Sequence, residues 1–241
     1  MNLIIDVGNT LVKLAVFKKR KLIFKTDFPI NDLLDEYNII KRAYPKLESV
    51  IVSSVGRLPK STLSKIGEDL ELHQLSYKSK LPFKNLYETP HTLGADRMAL
   101  VSAATYHYPY KSILIIDAGT CITYDFINDK KAYLGGSISP GLRLRYTALN
   151  NLTANLPLLE KNQPTSFIGK TTESSIHSGV VFGALKEIDG VIDEYRAVYQ
   201  DLTVILTGGD ADFLSNQLKN SIFAHSNFLL EGLNFILDYN T

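Results

Sequence analysis

A six-residue pattern occurs twice in this chain. Residues 3–8 read Leu-Ile-Ile-Asp-Val-Gly and residues 114–119 read Leu-Ile-Ile-Asp-Ala-Gly. Each copy is a short apolar run, rich in β-branched residues, that ends in Asp-x-Gly. A continuous apolar run of this length is a buried strand, and the small residues after it mark a tight turn. Thr10 follows the first glycine after one residue and Thr120 follows the second directly. A second apolar stretch comes next in both places: Leu11 to Phe17, interrupted by Lys13, and Ile122 to Ile127, interrupted by Asp125. A strand, turn and strand repeated at this distance predicts two related halves, arranged as residues 1–108 and 109–241.

The rest of the pattern fits an α/β chain with mixed sheets and flanking helices. Further strands are expected at Ser49–Ser53 and Leu202–Thr207, each ending in a small-residue turn: Ser54-Val55-Gly56 and Gly208-Gly209-Asp210. Helical spacing is expected over 31–43, 95–107, 173–198, 211–219 and 228–238. Asn31, Thr172 and Asp210 are the cap candidates. The basic run Lys18 to Lys21 reads as a solvated hairpin tip, and Gly135 to Gly141 as a flexible loop.

Composition narrows the function classes. The chain has 241 residues, enough for two small domains. Lys and Arg number 26 against 25 Asp and Glu, a net charge of +1. Without a basic excess or stripe, nucleic acid and anionic membrane are not expected partners, which counts against a nuclease. One cysteine, Cys121, excludes an internal disulfide framework and reads as a packing residue. The five histidines are scattered without metal-ligand spacing. No apolar run approaches the ~18 residues of a membrane span, and the apolar start is broken by Asp6, unlike a signal peptide. A cytoplasmic location is expected.

One phosphate-binding pattern is excluded and a second, dinucleotide binding, is disfavoured. Gly169-Lys170-Thr171 ends like a Walker loop, but Pro164 stands where the first glycine belongs. No Gly-x-Gly-x-x-Gly follows the first strand. The Asp-x-Gly turns remain. Asp6 and Asp117 lie at carboxyl ends of strands, where α/β sheets hold ligands. Gly8 and Gly119 let a phosphate approach the backbone, Asn9, Thr10 and Thr120 add donors, and Lys13 adds a cation. Carboxylates do not favour direct contact with phosphate, so Asp6 and Asp117 imply bridging cations or water. A third cluster runs from Tyr87 to Arg97. Asp96 falls in the first turn of a helix, where the helix dipole alone favours an acid. The functional reading is a general base beside an anion-binding Arg97.

These motifs in this order resemble the type III pantothenate kinases, a family of the actin-like ATPase superfamily. The resemblance rests on Asp6-Val7-Gly8-Asn9-Thr10 with Lys13, Gly94-Ala95-Asp96-Arg97, Asp117-Ala118-Gly119-Thr120, Gly135-Gly136 to Pro140-Gly141, and Gly169 to Thr172. It spans nearly the whole chain. It implies two ribonuclease-H-like lobes and transfer of phosphate from ATP to pantothenate, the first step of coenzyme A synthesis. By position, Asp6, Val7, Gly8, Asn9, Thr10, Leu11, Val12 and Lys13 resemble the family's ATP phosphate loop, and Thr120 a further ATP contact. Asp96 resembles the catalytic base. Gly94, Ala95, Asp96 and Arg97 resemble the pantothenate-binding stretch, and Tyr87 its aromatic contact. Thr172, or its neighbour Thr171, resembles a further substrate contact. Asp117 resembles the ligand of a monovalent cation, potassium or ammonium, and Asp6 a magnesium site reached through water. A cytoplasmic homodimer is implied. A regulator of the same fold without catalysis, and a kinase of another hydroxylated small molecule, are the alternatives.

Overall fold

The computed structural model describes residues 1–8, 11–54 and 58–241. Asn9, Thr10 and the Val55–Gly56 turn lie outside the described residues. In chain order the elements are β1 (Asn2–Val7), β2 (Val12–Lys18), β3 (Lys21–Phe28), α1 (Leu33–Ala43), β4 (Ser49–Ser54), α2 (Lys60–Gly67), β5 (Glu71–Gln74), β6 (Lys84–Asn85) and α3 (Ala95–His107). They continue with β7 (Ile113–Ala118), β8 (Cys121–Ile127), β9 (Ala132–Pro140), α4 (Leu142–Asn151), α5 (Thr172–Val198), β10 (Thr203–Thr207), α6 (Ala211–Ser215), β11 (Phe223–Ala224) and α7 (Phe228–Asn240).

The chain forms two compact units. The first holds Met1–Tyr110, Lys131–Leu134 and Asn227–Thr241; the second holds Lys111–Lys130 and Gly135–Ser226. The first unit's sheet runs β3-β2-β1-β4-β5. The second unit's strands run β9-β8-β7-β10-β11. The order is the same: a hairpin partner on one side of the central strand and a parallel strand on the other. β1 pairs antiparallel with β2 and parallel with β4; β7 pairs antiparallel with β8 and parallel with β10.

In the first unit the strand period of two divides the sheet faces. Leu3, Ile5 and Val7 pack with Leu14, Val16 and Val52 against Tyr37 and Ile40 of α1 and Ile66 of α2. The other face of β1 and β4 receives α7. α7 in turn lies tightly on α3: a Cβ at Gly232 would stand 2.0 Å from the Ala99 carbonyl oxygen. Ala95, Ala99 and Ala103 are small and fall at helical spacing, which is what lets the two backbones approach.

The second unit's core brings Leu114, Ile116 and Tyr124 of the hairpin together with Val180, Ala184, Ile188 and Ile192 of α5. The 3/4 spacing read from 173–198 is the buried stripe of that helix. Three local readings need correction. The Gly135–Gly141 loop is instead part of strand β9 as far as Pro140, because Gly136 lies so close to the Tyr124 carbonyl (1.6 Å from a built Cβ) that only glycine fits the strand there. Thr171, not Thr172, caps α5, in a reciprocal capping box with Ser174. Asp32, not Asn31, occupies the N-cap of α1, and its side chain makes no cap bond. Cys121 opens β8 and is only partly buried.

Candidate active site

The first Asp-x-Gly turn places Asp6 at the carboxyl end of β1, 7% exposed. Its cross-strand partner is Lys13, and its parallel neighbour on β4 is Ser53. Burial raises the Asp6 carboxyl to about 6; the Lys13 ammonium and the Ser53 hydroxyl pull it back, and the Asp96 carboxylate pushes it further up. The Ser53 hydroxyl is fully buried beside Asp6 without a hydrogen bond of full geometry. The Gly8 N–H donates to the Leu11 carbonyl at 3.1 Å. Val7 and Val12 close the hairpin as a buried pair, and Leu11 is exposed. Asn9 and Thr10 lie outside the described residues.

α3 begins at Ala95 with Gly94 as its N-cap residue. Asp96 folds back, and its Oδ1 accepts the Arg97 N–H at 2.8 Å. A Cβ on Gly94 would stand 2.3 Å from that oxygen, so glycine is what permits the Asp96 orientation. Arg97 is 5% exposed, and its guanidinium lies over the Tyr87 ring at 5.5 Å. Tyr87 stacks on Tyr133 at 6.1 Å, and Tyr133 meets Phe83 edge-on at 5.9 Å. The first unit therefore gathers Asp6, Lys13 and Asp96, and beside Asp96 it sets an arginine held on a row of aromatic rings.

In the second unit Asp117 stands one residue before the end of β7, opposite Thr123, with Thr207 as its parallel neighbour. The Gly119 N–H donates to the Cys121 carbonyl at 2.9 Å, and Thr120 is exposed. Gly208, at φ +97°, lies against this turn: a Cβ there would stand 2.4 Å from both Asp117 Oδ1 and the Ala118 carbonyl. Positive φ and close approach together leave room only for glycine. Gly141 covers the other side, donating to the Thr120 carbonyl at 3.1 Å. The carboxylates of Asp117 and Asp6 are hard oxygen donors, of the kind that hold hard cations.

The same unit contains a cavity of about 1140 Å³, lined in part by Leu149, Leu152, Thr171, Thr172 and Ile176. Thr171 spends its hydroxyl on the Ser174 cap, while Thr172 opens the helix as an exposed residue. Sequence reasoning missed Ser53, Phe83 and Tyr133. The run Val50-Ile51-Val52-Ser53 carried a usable signal, a polar residue closing a buried strand in the manner of Asp6. Phe83 and Tyr133 carried none, because their stacking arises from the β6 pairing with residues 132–133.

Comparison with known proteins gives the family. The family model for type III pantothenate kinase matches residues 2–194. A protein of Christiangramia forsetii named type III pantothenate kinase is 50% identical over 240 residues, covering 100% of this chain and 99% of its own. Among solved structures, a conserved Campylobacter jejuni protein provisionally described as a Baf family transcriptional activator aligns with TM-score 0.67 at 21% identity, over 99% and 98% of the two chains. A ROK family glucokinase from Streptomyces griseus, solved with glucose and AMPPNP, aligns with TM-score 0.53 at 9% identity, over 99% and 98%. These two likenesses concern the fold alone.

Proposed function

The chain belongs to the type III pantothenate kinase family, and from that premise we propose that it transfers the γ-phosphoryl group of ATP to the primary hydroxyl of pantothenate. The observation that carries the reading is the gathering of Asp6, Lys13 and Asp96 in one unit, with Arg97 lying over Tyr87 beside them. Phosphoryl transfer asks a protein for positioning and charge balance more than for covalent chemistry. Asp96 takes the hydroxyl proton as that oxygen attacks the γ-phosphorus in line. The bond from the γ-phosphorus to the bridging oxygen breaks, and ADP leaves with its electron pair. Arg97 and Tyr87 hold the carboxylate and the body of pantothenate next to Gly94 and Ala95. Thr172 is the further substrate contact, since the Thr171 hydroxyl is committed to the helix cap.

Asp6 to Lys13 and Thr120 hold the phosphates of ATP, with Lys13 as the cation aimed at them. Magnesium held through water at Asp6, and potassium or ammonium at Asp117, would offset phosphate charge. The halves 1–108 and 109–241 are read as ribonuclease-H-like duplicates, a reading supported by their shared strand order. A homodimer is proposed; in the second unit Leu152, Phe167 and Ile168 are large apolar side chains left exposed, as residues covered by a partner would be. Among the described residues no helix is long and apolar enough to cross a membrane, and a cytoplasmic location accompanies the assignment.

The test measures ADP release from ATP and magnesium, with and without pantothenate, in potassium and in sodium buffer. Release that needs pantothenate and rises with potassium is the expected result. Release indifferent to pantothenate would overturn the substrate assignment.

A further inference from the structure

The second phosphate-binding turn is pressed from behind by a polar cluster whose centre is Glu187 on α5. One carboxylate oxygen, Oε1, accepts the Tyr124 hydroxyl at 2.8 Å and the Ser139 hydroxyl at 2.5 Å. The other, Oε2, accepts the Arg145 Nη2–H at 2.5 Å. Arg145 donates from Nη2 to the Ser139 hydroxyl oxygen at 2.9 Å and from Nε to the Pro140 carbonyl at 2.8 Å. One acid therefore ties four elements together: β8, β9, α4 and α5.

What the cluster grips is the end of β9, and that end touches the turn. The Gly141 N–H donates to the Thr120 carbonyl. A Cβ on Gly141 would stand 2.2 Å from the Gly119 carbonyl oxygen and 2.5 Å from that of Thr120. Ser139 to Gly141 are thus held between the Arg145–Glu187 pair on one side and the Gly119–Thr120 backbone on the other. The side chains of Arg145 and Glu187 are 21% and 30% exposed. At that depth a charge pair with shared hydrogen bonds fixes geometry better than an isolated surface pair does.

We infer that Glu187 is a positioning residue for ATP and its monovalent cation: through Ser139, Arg145 and Gly141 it sets the Gly119–Thr120 turn beside Asp117. It touches neither ligand. This inference rests on the assignment of that turn to ATP and of Asp117 to a cation.

Glu187→Gln tests it, because the amide cannot receive Arg145 as the carboxylate does. The expected result is a KM for ATP raised about tenfold and a half-saturating potassium concentration raised several-fold. The KM for pantothenate should stay within about twofold. Ser139→Ala, a milder change, should move the same two quantities in the same direction by about threefold, which keeps the test open if Glu187→Gln folds poorly. A residue that serves only stability would lower the thermal midpoint and the active fraction and leave both constants in place. That outcome overturns the inference. Direct titration with a non-hydrolysable ATP analogue separates this from the kinase reading. If the wild-type chain binds the analogue yet phosphorylates no pantothenate, the substrate assignment fails while the Glu187 comparison still decides. An equal Kd in wild type and Glu187→Gln overturns the inference, as does a wild-type chain that binds no nucleotide.

Discussion

The two Asp-x-Gly hairpins share a backbone plan and differ in what surrounds the acid. Opposite Asp6 stands Lys13; opposite Asp117 stands Thr123. The parallel strand beside Asp6 brings buried Ser53, and the one beside Asp117 brings Thr207 and then Gly208 at positive φ. The repeat therefore supplies a carboxylate at a strand end twice, and the cross-strand and parallel neighbours decide its chemistry. In the first half a lysine and a second carboxylate, Asp96, act on Asp6. In the second half Gly208 and Gly141 let neighbouring backbone come up against the carbonyl oxygens of the turn itself. Under the proposed function, proton transfer, the ATP phosphates and the divalent cation fall to the first half, and the monovalent cation with a further ATP contact to the second.

The largest effect that would break this division is expected at Asp96. Asp96→Asn should lower kcat by about a hundredfold to ten-thousandfold while the KM for ATP changes little, as steady-state kinetics would show. Near-normal turnover would remove Asp96 as the base. Asp117→Asn should act differently. Its turnover should fall on the order of tenfold at ordinary potassium and recover in part as potassium rises, because a neutral amide oxygen binds the ion more weakly. A loss of turnover blind to potassium would erase the contrast between the halves.

A smaller effect tests the burial of Asp6 in the free protein, without nucleotide or divalent metal. Its carboxyl is raised by burial from 3.8 to about 6. The folded state therefore binds the proton more tightly than the unfolded state, and folding stability from this group is present below pH 3.8 and lost as pH rises through 6. Ionising it inside the fold costs about 3 kcal/mol more than in the unfolded chain. Asp6→Asn removes that cost. Its thermal midpoint should exceed that of the wild type at pH 8, and the advantage should vanish near pH 4. An advantage independent of pH would show that burial does not govern Asp6.

How much of this was legible in the sequence depended on whether each feature is local. Asp6, Asp117 and the paired strands were visible because an apolar run and its turn are consecutive residues. Asp96 was placed in the first helical turn correctly, because Gly94 and the alanines after it mark the start of α3. Gly135 to Gly141 was misread because glycine normally signals a loop, whereas here Gly136 sits inside strand β9 against Tyr124, and Gly141 just beyond the strand lies against Gly119. The aromatic row of Phe83, Tyr87 and Tyr133 and the Glu187 cluster stayed hidden for a related reason. Tyr133 lies far along the chain from Phe83 and Tyr87, and Tyr124, Ser139 and Arg145 lie far from Glu187, so each group meets only through tertiary packing.

The smallest expected effect concerns the two turn glycines themselves. Neither has a left-handed φ, so the backbone at each tolerates alanine and the space around it decides the outcome. A Cβ at Gly8 would stand 3.1 Å from the Leu11 carbonyl oxygen, tighter than ordinary contact. A Cβ at Gly119 would meet nothing nearer than Asp117 Oδ1 at 3.7 Å. Alanine also reduces the freedom of the unfolded chain, a gain of about 0.4–1 kcal/mol where the native conformation accepts it. Gly119→Ala should therefore raise the thermal midpoint by about 1–3 °C, and Gly8→Ala should lower it by a similar amount as crowding outweighs that gain. Both should nevertheless weaken binding of an ATP analogue, because the added methyl occupies the approach that each glycine leaves to a phosphate. A stabilised Gly119→Ala that binds nucleotide as well as wild type would mean that the second turn merely closes a hairpin, and the comparison would reduce to a repeat of structure without a repeat of use.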